Sequence, residues 1–436
     1  MKASFFFKIS CIILKKGGIF ILKNKIYRIF LLSDVFSIMG RTLFDIAFLI
    51  YASKFENAKL AVSIVSIITT LPYAIDFILG YMADKEDKKV SRLIHNKVLQ
   101  TILFLAFSII VFFKPSWYVF LAIVLINVVA DIFGGYNSYL SLSIYYKIVE
   151  EKDLEKAFAF NNSISTTVSL VSKFMGVMII EVIAYNYSVF GIINSSLYFV
   201  SFLLMYINRS RLKSVKFNIE KKEKITVKRF LKDTIENLKI IRSNKKIYRF
   251  VLLFAILNLY SSGMYAIFLL VILDTPNLLV GNYANTLTVT QALETIFMIV
   301  AGVYIIPIYR KVDIVRMTFI EIIFFILYVL NILFLQNVYA LLILVSISGY
   351  LAGVSNPKLT TFLLKEVPED KQTSIFSIYG TIVTLTVPIG TIIFTFLSNV
   401  IGNMFTIYIL LAVLVFSLLY TYTFILNEKQ KYSPKI

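Results

Sequence analysis

Cysteine and histidine are nearly missing from this chain. A single cysteine, Cys11, rules out a disulfide framework, and a single histidine, His95, leaves no His/Cys cluster for a metal. Charge is scarce as well: 16% of the 436 residues are Asp, Glu, Lys or Arg, against 58% hydrophobic, with a mean hydropathy of +0.81. A water-soluble core cannot absorb that much apolar surface, and apolar runs of about 18 residues or more read as membrane-crossing helices. Catalytic signatures are wanting too. No nucleophile–base set, glycine-rich phosphate loop or ATPase motif stands out, so nothing supports an enzyme and no cofactor is called for.

What the chain does have is hydrocarbon, in twelve blocks. Apolar segments run at 26–52, 59–83, 92–113, 116–146, 157–184 and 187–207, and again at 247–273, 280–308, 313–335, 338–364, 371–398 and 402–426. Each can cross about 30 Å of hydrocarbon as an α-helix rising about 1.5 Å per residue. The expected fold is an all-α integral membrane protein of twelve spans, numbered here in chain order.

Base exceeds acid, 44 Lys and Arg to 25 Asp and Glu, and the excess has an address. With both termini cytoplasmic, 38 of the 44 fall in the N-terminal stretch, loops 2–3, 4–5, 6–7, 8–9 and 10–11, and the tail. Only Lys54, Lys59 and Lys114 fall on the other side, and Arg41, Lys173 and Lys358 lie within spans. That asymmetry is what the positive-inside rule expects, and it sets both termini in the cytoplasm of a cell-membrane protein. The net charge of +19 then reads as topology and attraction to anionic lipid. Nucleic acid is a poor partner, since the basic residues are scattered over membrane-proximal loops. Residues 1–25 lack a long apolar core and a small-residue cleavage site, so they read as an interfacial segment or a start placed too early, not a signal peptide.

Residues 208–249 carry fifteen basic side chains and divide the spans six and six. Val227, Leu231, Ile235, Leu238 and Ile241 recur there at helical spacing, as in an amphipathic helix on the membrane surface. The expected organisation is a basic segment (1–25), a first half (26–207), a cytoplasmic linker (208–246), a second half (247–426) and a tail (427–436). An internal repeat supports the division. Gly135, Lys147, Val149 and Glu151 match Gly353, Lys365, Val367 and Glu369 at an offset of 218; Gly80, Lys88, Lys89 and Val90 match Gly302, Arg310, Lys311 and Val312 at an offset of 222. Parallel six-helix repeats are a transporter architecture with the substrate site near the midplane.

Loop 2–3 reads Gly80-x-x-x-Asp84-Lys85-x-x-Lys88-Lys89, with a degenerate copy from Gly302 to Lys311. With twelve spans and a basic central loop, this resembles the signature loop of the major facilitator superfamily, over essentially the whole chain. Asp87 stands where that family usually has glycine. The resemblance implies that Asp84 helps hold the halves together when the cytoplasmic side is shut. Physically, Gly80 removes a side chain where another helix must come close, Asp84 lies one turn on, and Lys85, Lys88, Lys89 and Arg92 end the helix and hold the loop inside. Within the superfamily the chain is most similar to the macrolide-efflux type of drug exporter, through residues 145–162, 230–253 and 364–377 and through Ser37-x-x-Gly40 in span 1. The glycine–proline pair that exporters often carry in span 5 is absent; span 11 keeps Pro388-Ile389-Gly390.

Ionisable residues inside a bilayer cost about 2.5–3.5 kcal/mol each at the centre and usually face a cavity. Asp34, Arg41 and Asp45 share one face of span 1. Asp76 is in span 2, Asp131 in span 4, Lys173 in span 5, Glu294 in span 8 and Lys358 in span 10; Glu181 and Glu321 read as interfacial. Arg41 and Asp45 could be a permanent pair, and Asp131 and Lys173 another. Asp34, further from Arg41, is the carboxylate expected to carry the coupling proton. The expected function is secondary active transport by alternating access: proton-coupled export of amphipathic compounds such as a macrolide-like drug, a peptide or a lipid-like metabolite. Import of a small polar solute and a non-transporting membrane sensor are the competing readings. Expected partners are the solute, protons and lipid, with the chain acting as a monomer.

Overall fold

The computed structural model describes residues 24–150, 153–212, 242, 245–366 and 372–432. Within them every regular element is helical, and twelve helices are long and apolar enough to cross a membrane. They are Lys25–Ser53, Ala58–Asp76, Lys89–Ile110, Trp117–Ile148, Phe160–Val182 and Tyr187–Ile207, then Ile247–Asp274, Pro276–Gly302, Ile314–Leu335, Val338–Leu359, Tyr379–Ile401 and Asn403–Leu426. The amphipathic helix expected over 227–241, within the linker, and the N-terminal segment 1–23 lie outside the described residues.

Polar caps start several of these helices. Asn57, Ser116, Asn186, Asn282 and Asp313 each accept a hydrogen bond from a backbone N–H three residues on, satisfying a donor that the helix itself leaves open. Span 2 is not continuous. Its helix runs over Ala58–Thr70, steps through Leu71 with tight i→i−3 bonding, and restarts at Pro72. Proline has no N–H to continue the ladder but is suited to a helix's first turn. Pro357 and Pro388, by contrast, sit inside continuous helices.

The chain packs as two compact units. One runs to Tyr51 and resumes at Ile75 through span 6; the other takes Ala52–Ala74 and spans 7–12. The first helix of span 2 thus belongs with the second unit, where Lys59 Nζ donates to the Ser398 carbonyl at 2.7 Å and Asn399 Nδ2 to Ser63 Oγ at 2.8 Å. Large apolar side chains point away from each unit, among them Ile109, Phe396 and Phe416, as a lipid-facing surface requires. Spans 1 and 7 are the most enclosed of the twelve, while spans 2, 5, 11 and 12 are among the least. The charges of span 1 therefore sit on an enclosed helix.

The repeat is visible as one contact made twice. A Cβ on Gly135 of span 4 would stand 2.9 Å from Leu79 Cδ1 and 3.7 Å from Asp76 Oδ1. On Gly353 of span 10 it would stand 2.5 Å from the Met298 carbonyl oxygen and 2.7 Å from Ala301 Cβ. Asp76 and Leu79 correspond to Met298 and Ala301 at the same 222-residue offset that relates Gly80 to Gly302. Glycine is needed at both places for close helix approach. Gly80 itself is looser than expected: its added Cβ would meet only the Tyr139 ring, at an ordinary 3.5 Å, and Gly302 faces open space.

Candidate functional site

Span 1 carries the site because its polar residues recur on one face while its apolar residues pack. Ser33 and Ser37 hydrogen-bond to Ser201 of span 6, the two Oγ–Oγ distances being 2.8 and 2.9 Å. Gly40 makes room for Tyr198, since a Cβ there would lie 2.6 Å from the ring edge. The Ser37-x-x-Gly40 pattern is thus a docking surface for span 6.

Against this face lies a cavity of ≈ 240 Å³, lined only by spans 1, 3, 4, 5 and 6. Of its sixteen lining residues twelve are polar, including Asp34, Arg41 and Lys97. Lys97 is the residue that the sequence reading mislaid, because it counted as a loop charge. The structure places it inside the helix Lys89–Ile110, with its side chain only 2% exposed. Its Nζ donates to Ser37 Oγ at 2.8 Å and stands 3.9 Å from Asp34 Oδ1; Tyr145 donates to the other Asp34 oxygen at 3.1 Å. Asp34, expected to be the carboxylate further from Arg41, has a cation of its own in Lys97. A signal existed: Val90, Leu93, Asn96, Lys97, Gln100, Thr101 and Phe104 are buried at helical spacing, so a lysine falls on a packed face.

Beside Lys97 an amide chain fixes the cavity wall. Asn96 donates to Asn137 at 2.8 Å, Asn137 to Gln100 at 3.2 Å, and Gln100 to the Ala130 carbonyl at 3.1 Å. Each amide has a set orientation, so the wall is pre-organised.

A second cluster lies next to the cavity. Asp45 interacts electrostatically with Arg41 and Lys173, and Asp131 with Asp45 and Arg41, while Asn127 hydrogen-bonds Asp131. Tyr198 is within the reach of Arg41, Asp45 and Asp131. Spans 1, 4 and 5 thus contribute two cations and two carboxylates to one group. Arg41 acts on both carboxylates and Lys173 on Asp45, so the four charges form one group.

The remaining expected residues lie elsewhere. Asp76 stands beside Gly135 and Tyr139. Glu294 is exposed on span 8, within electrostatic reach of Tyr328. Glu321 is 8% exposed, beside Ser355 of span 10. Lys358 donates to the carbonyls of Tyr309 at 2.8 Å, Arg310 at 3.3 Å and Val312, so it clamps loop 8–9.

In loop 2–3 the side chains of Asp84 and Lys85 lie outside the described residues. Lys88 is exposed, whereas Lys89, expected among the residues that end the helix, is 4% exposed and donates to the Ala83 carbonyl, capping the helix it follows. Glu86 ties the loop: it accepts from Arg92 Nε at 2.8 Å, from the Lys88 N–H at 3.1 Å and from Tyr136 of span 4 at 3.4 Å. Burial pushes the Glu86 carboxyl up, but the hydrogen bonds from Arg92 and Lys88 outweigh it and hold the group below the ordinary glutamate value. Among the described residues no group of three His, Cys, Asp or Glu is placed to hold a metal ion.

Two packed units of long apolar helices, one enclosing a polar cavity, define a membrane transporter rather than an enzyme. The sequence profile of the Major Facilitator Superfamily matches residues 30–391, and the chain belongs to that superfamily. Solved structures share the fold at low identity. The nucleoside transporter NupG is 13% identical with a TM-score of 0.66, covering 91% of this chain and 99% of its own. An auto-inhibited POT family peptide transporter is 10% identical with a TM-score of 0.67, covering 94% and 99%. The POT family transporter PepTSo is 12% identical with a TM-score of 0.65, again covering 94% and 99%. No curated protein matches in sequence, so the likeness to macrolide exporters has no counterpart among these relatives.

Proposed function

We propose that this secondary transporter is a proton-coupled exporter of amphipathic compounds, with both termini cytoplasmic and the polar end of the solute received by the cavity of the first unit. The observation that carries this reading is the cavity itself. At ≈ 240 Å³ it is smaller than the roughly 300–1,000 Å³ of pockets that enclose a whole drug-sized ligand, so it suits a head group. Asp34 lines it and is the carboxylate a proton can reach; its link to Lys97 and Tyr145 gives protonation a way to loosen the wall. The experiment is accumulation of a panel of lipophilic dyes and antibiotics, the macrolides included, in cells with and without the protein. Lower accumulation in expressing cells, abolished by a protonophore, is the expected result. Unchanged accumulation across the panel overturns export.

The polar lining also favours a second reading, uptake of a small polar solute, since directed hydrogen-bonding groups suit a hydrophilic cargo. The related folds named for nucleosides and peptides make these the first solutes to try. Protein-dependent uptake of labelled nucleosides or dipeptides, with no effect on dye accumulation, would select this reading.

A further inference from the structure

We infer that the cavity of the first unit is an anion-receiving subsite in which Arg41 takes a carboxylate of the transported solute; this names the substrate class and rests on the transport reading above. Two cations line the cavity, and they differ in what they have left to offer. Lys97 is 2% exposed and is spent on Ser37 and Asp34. Arg41 is exposed on the cavity wall. Its counter-charges, Asp45 and Asp131, interact with it but do not line the cavity. Arginine carries five N–H donors in a planar fork, so a guanidinium exposed on the cavity wall can donate bidentately to a carboxylate that enters the cavity.

Among the described residues the only carboxylate on the wall is Asp34, seven residues and about 10 Å from Arg41 along the helix. An anion at Arg41 therefore meets no wall carboxylate beside it. A cationic solute has only Asp34 to bind, and binding there competes with Lys97, stranding a buried ammonium. A carboxylate on the solute thus finds donors at Arg41, whereas the one wall carboxylate near Lys97 is already engaged.

The test uses the wild-type protein in detergent micelles and arginine modification by phenylglyoxal, read at each arginine by peptide mass spectrometry. Octanoate and benzoate are compared with octanamide and benzamide, which match them in shape and lack the charge. Either carboxylate should slow modification of Arg41 by about tenfold at saturation, the amides should not, and Arg209, outside the cavity, should be modified at one rate throughout. Equal rates at Arg41 with carboxylate and amide, or slowing at Arg209 as large as at Arg41, overturn the proposal. Arg41→Gln exposes two carboxylates and can fail to fold, so Arg41→Lys is the variant to use: it keeps the charge, loses the fork, and should lose most of the thermal stabilisation that octanoate gives the parent. Full retention of that stabilisation also overturns the assignment. Failure of dye export alongside octanoate protection of Arg41 would sink the transport reading and leave the subsite standing; the reverse outcome would sink the subsite alone.

Discussion

The two units build the same helix contact and fill it with different chemistry. Gly135 against Asp76 and Leu79 in the first unit is repeated as Gly353 against Met298 and Ala301 in the second. Around that shared joint the first unit gathers Asp34, Arg41, Asp45, Lys97, Asp131 and Lys173 on spans 1, 3, 4 and 5. The second unit has Glu294 exposed, Glu321 buried beside a serine, and Lys358 spent on backbone carbonyls. Helix approach tolerates little change, because a wrong side chain meets backbone. Buried charge tolerates change only in compensated sets, so it collects where partners already exist. The lesson is a division of labour: a common scaffold, on which most of the enclosed charges among the described residues gather in the first unit.

The sharpest way to break that comparison is to unbalance the first unit. Asp34→Asn leaves the Lys97 ammonium buried without its counter-charge, and breaking one side of a buried pair typically costs about 3–5 kcal/mol. Thermal unfolding in detergent should show a large fall for this variant and substantial recovery in Asp34→Asn/Lys97→Met. Glu294→Gln, at an exposed position of the second unit, should cost distinctly less. In vesicles the double variant should keep counterflow yet lose pH-driven transport. Equal losses for Asp34→Asn and Glu294→Gln would remove the asymmetry.

A smaller effect sharpens the comparison at the shared joint. Gly353→Ala drives a methyl into the Met298 carbonyl, which is backbone and cannot turn aside, at about 1–3 kcal/mol for such overpacking. Gly135→Ala meets the tip of Leu79, which can rotate, and should cost distinctly less. Gly302→Ala, facing open space, should be neutral. Unfolding midpoints ranking Gly135→Ala as the worst of the three would contradict the packing described for span 10.

The smallest effect concerns loop 2–3. Glu86 has a lowered pKa, so its tie to Arg92 and Tyr136 contributes above the ordinary glutamate value and is lost as pH falls through the lowered folded value. Protease cleavage in the loop should therefore rise in acid for the parent. Glu86→Gln should cleave at the acid rate at neutral pH, with at most about 1 kcal/mol at stake in so accessible a pair. A pH-independent cleavage rate in the parent would show that Glu86 does not hold the loop.

Twelve spans were legible because each is a long apolar run that only a helix can carry across lipid. Residue pairing was not legible in the same way. Lys97 was read as a loop charge because it lies near the start of its span, and only packing against spans 1 and 4 shows it as the partner of Asp34. Glu321 makes the same point: position near a helix end does not say which face the neighbouring helices cover, and this glutamate is 8% exposed. Gly80, prominent in its motif, turned out to face a single ring, while Gly135, a quieter member of the repeat, bears the close contact.

The chain by itself determined the helices, their number and the six-and-six repeat, since hydrophobic run length and glycine spacing are local properties of the sequence. The tertiary structure decided which charges meet. Asp34 found Lys97 across some sixty residues, Arg41 came to serve both Asp45 and Asp131, and residues 52–74 joined the second unit. Those outcomes depend on helix rotation and approach, set by the sum of many packing contacts, and no single stretch of sequence encodes that sum.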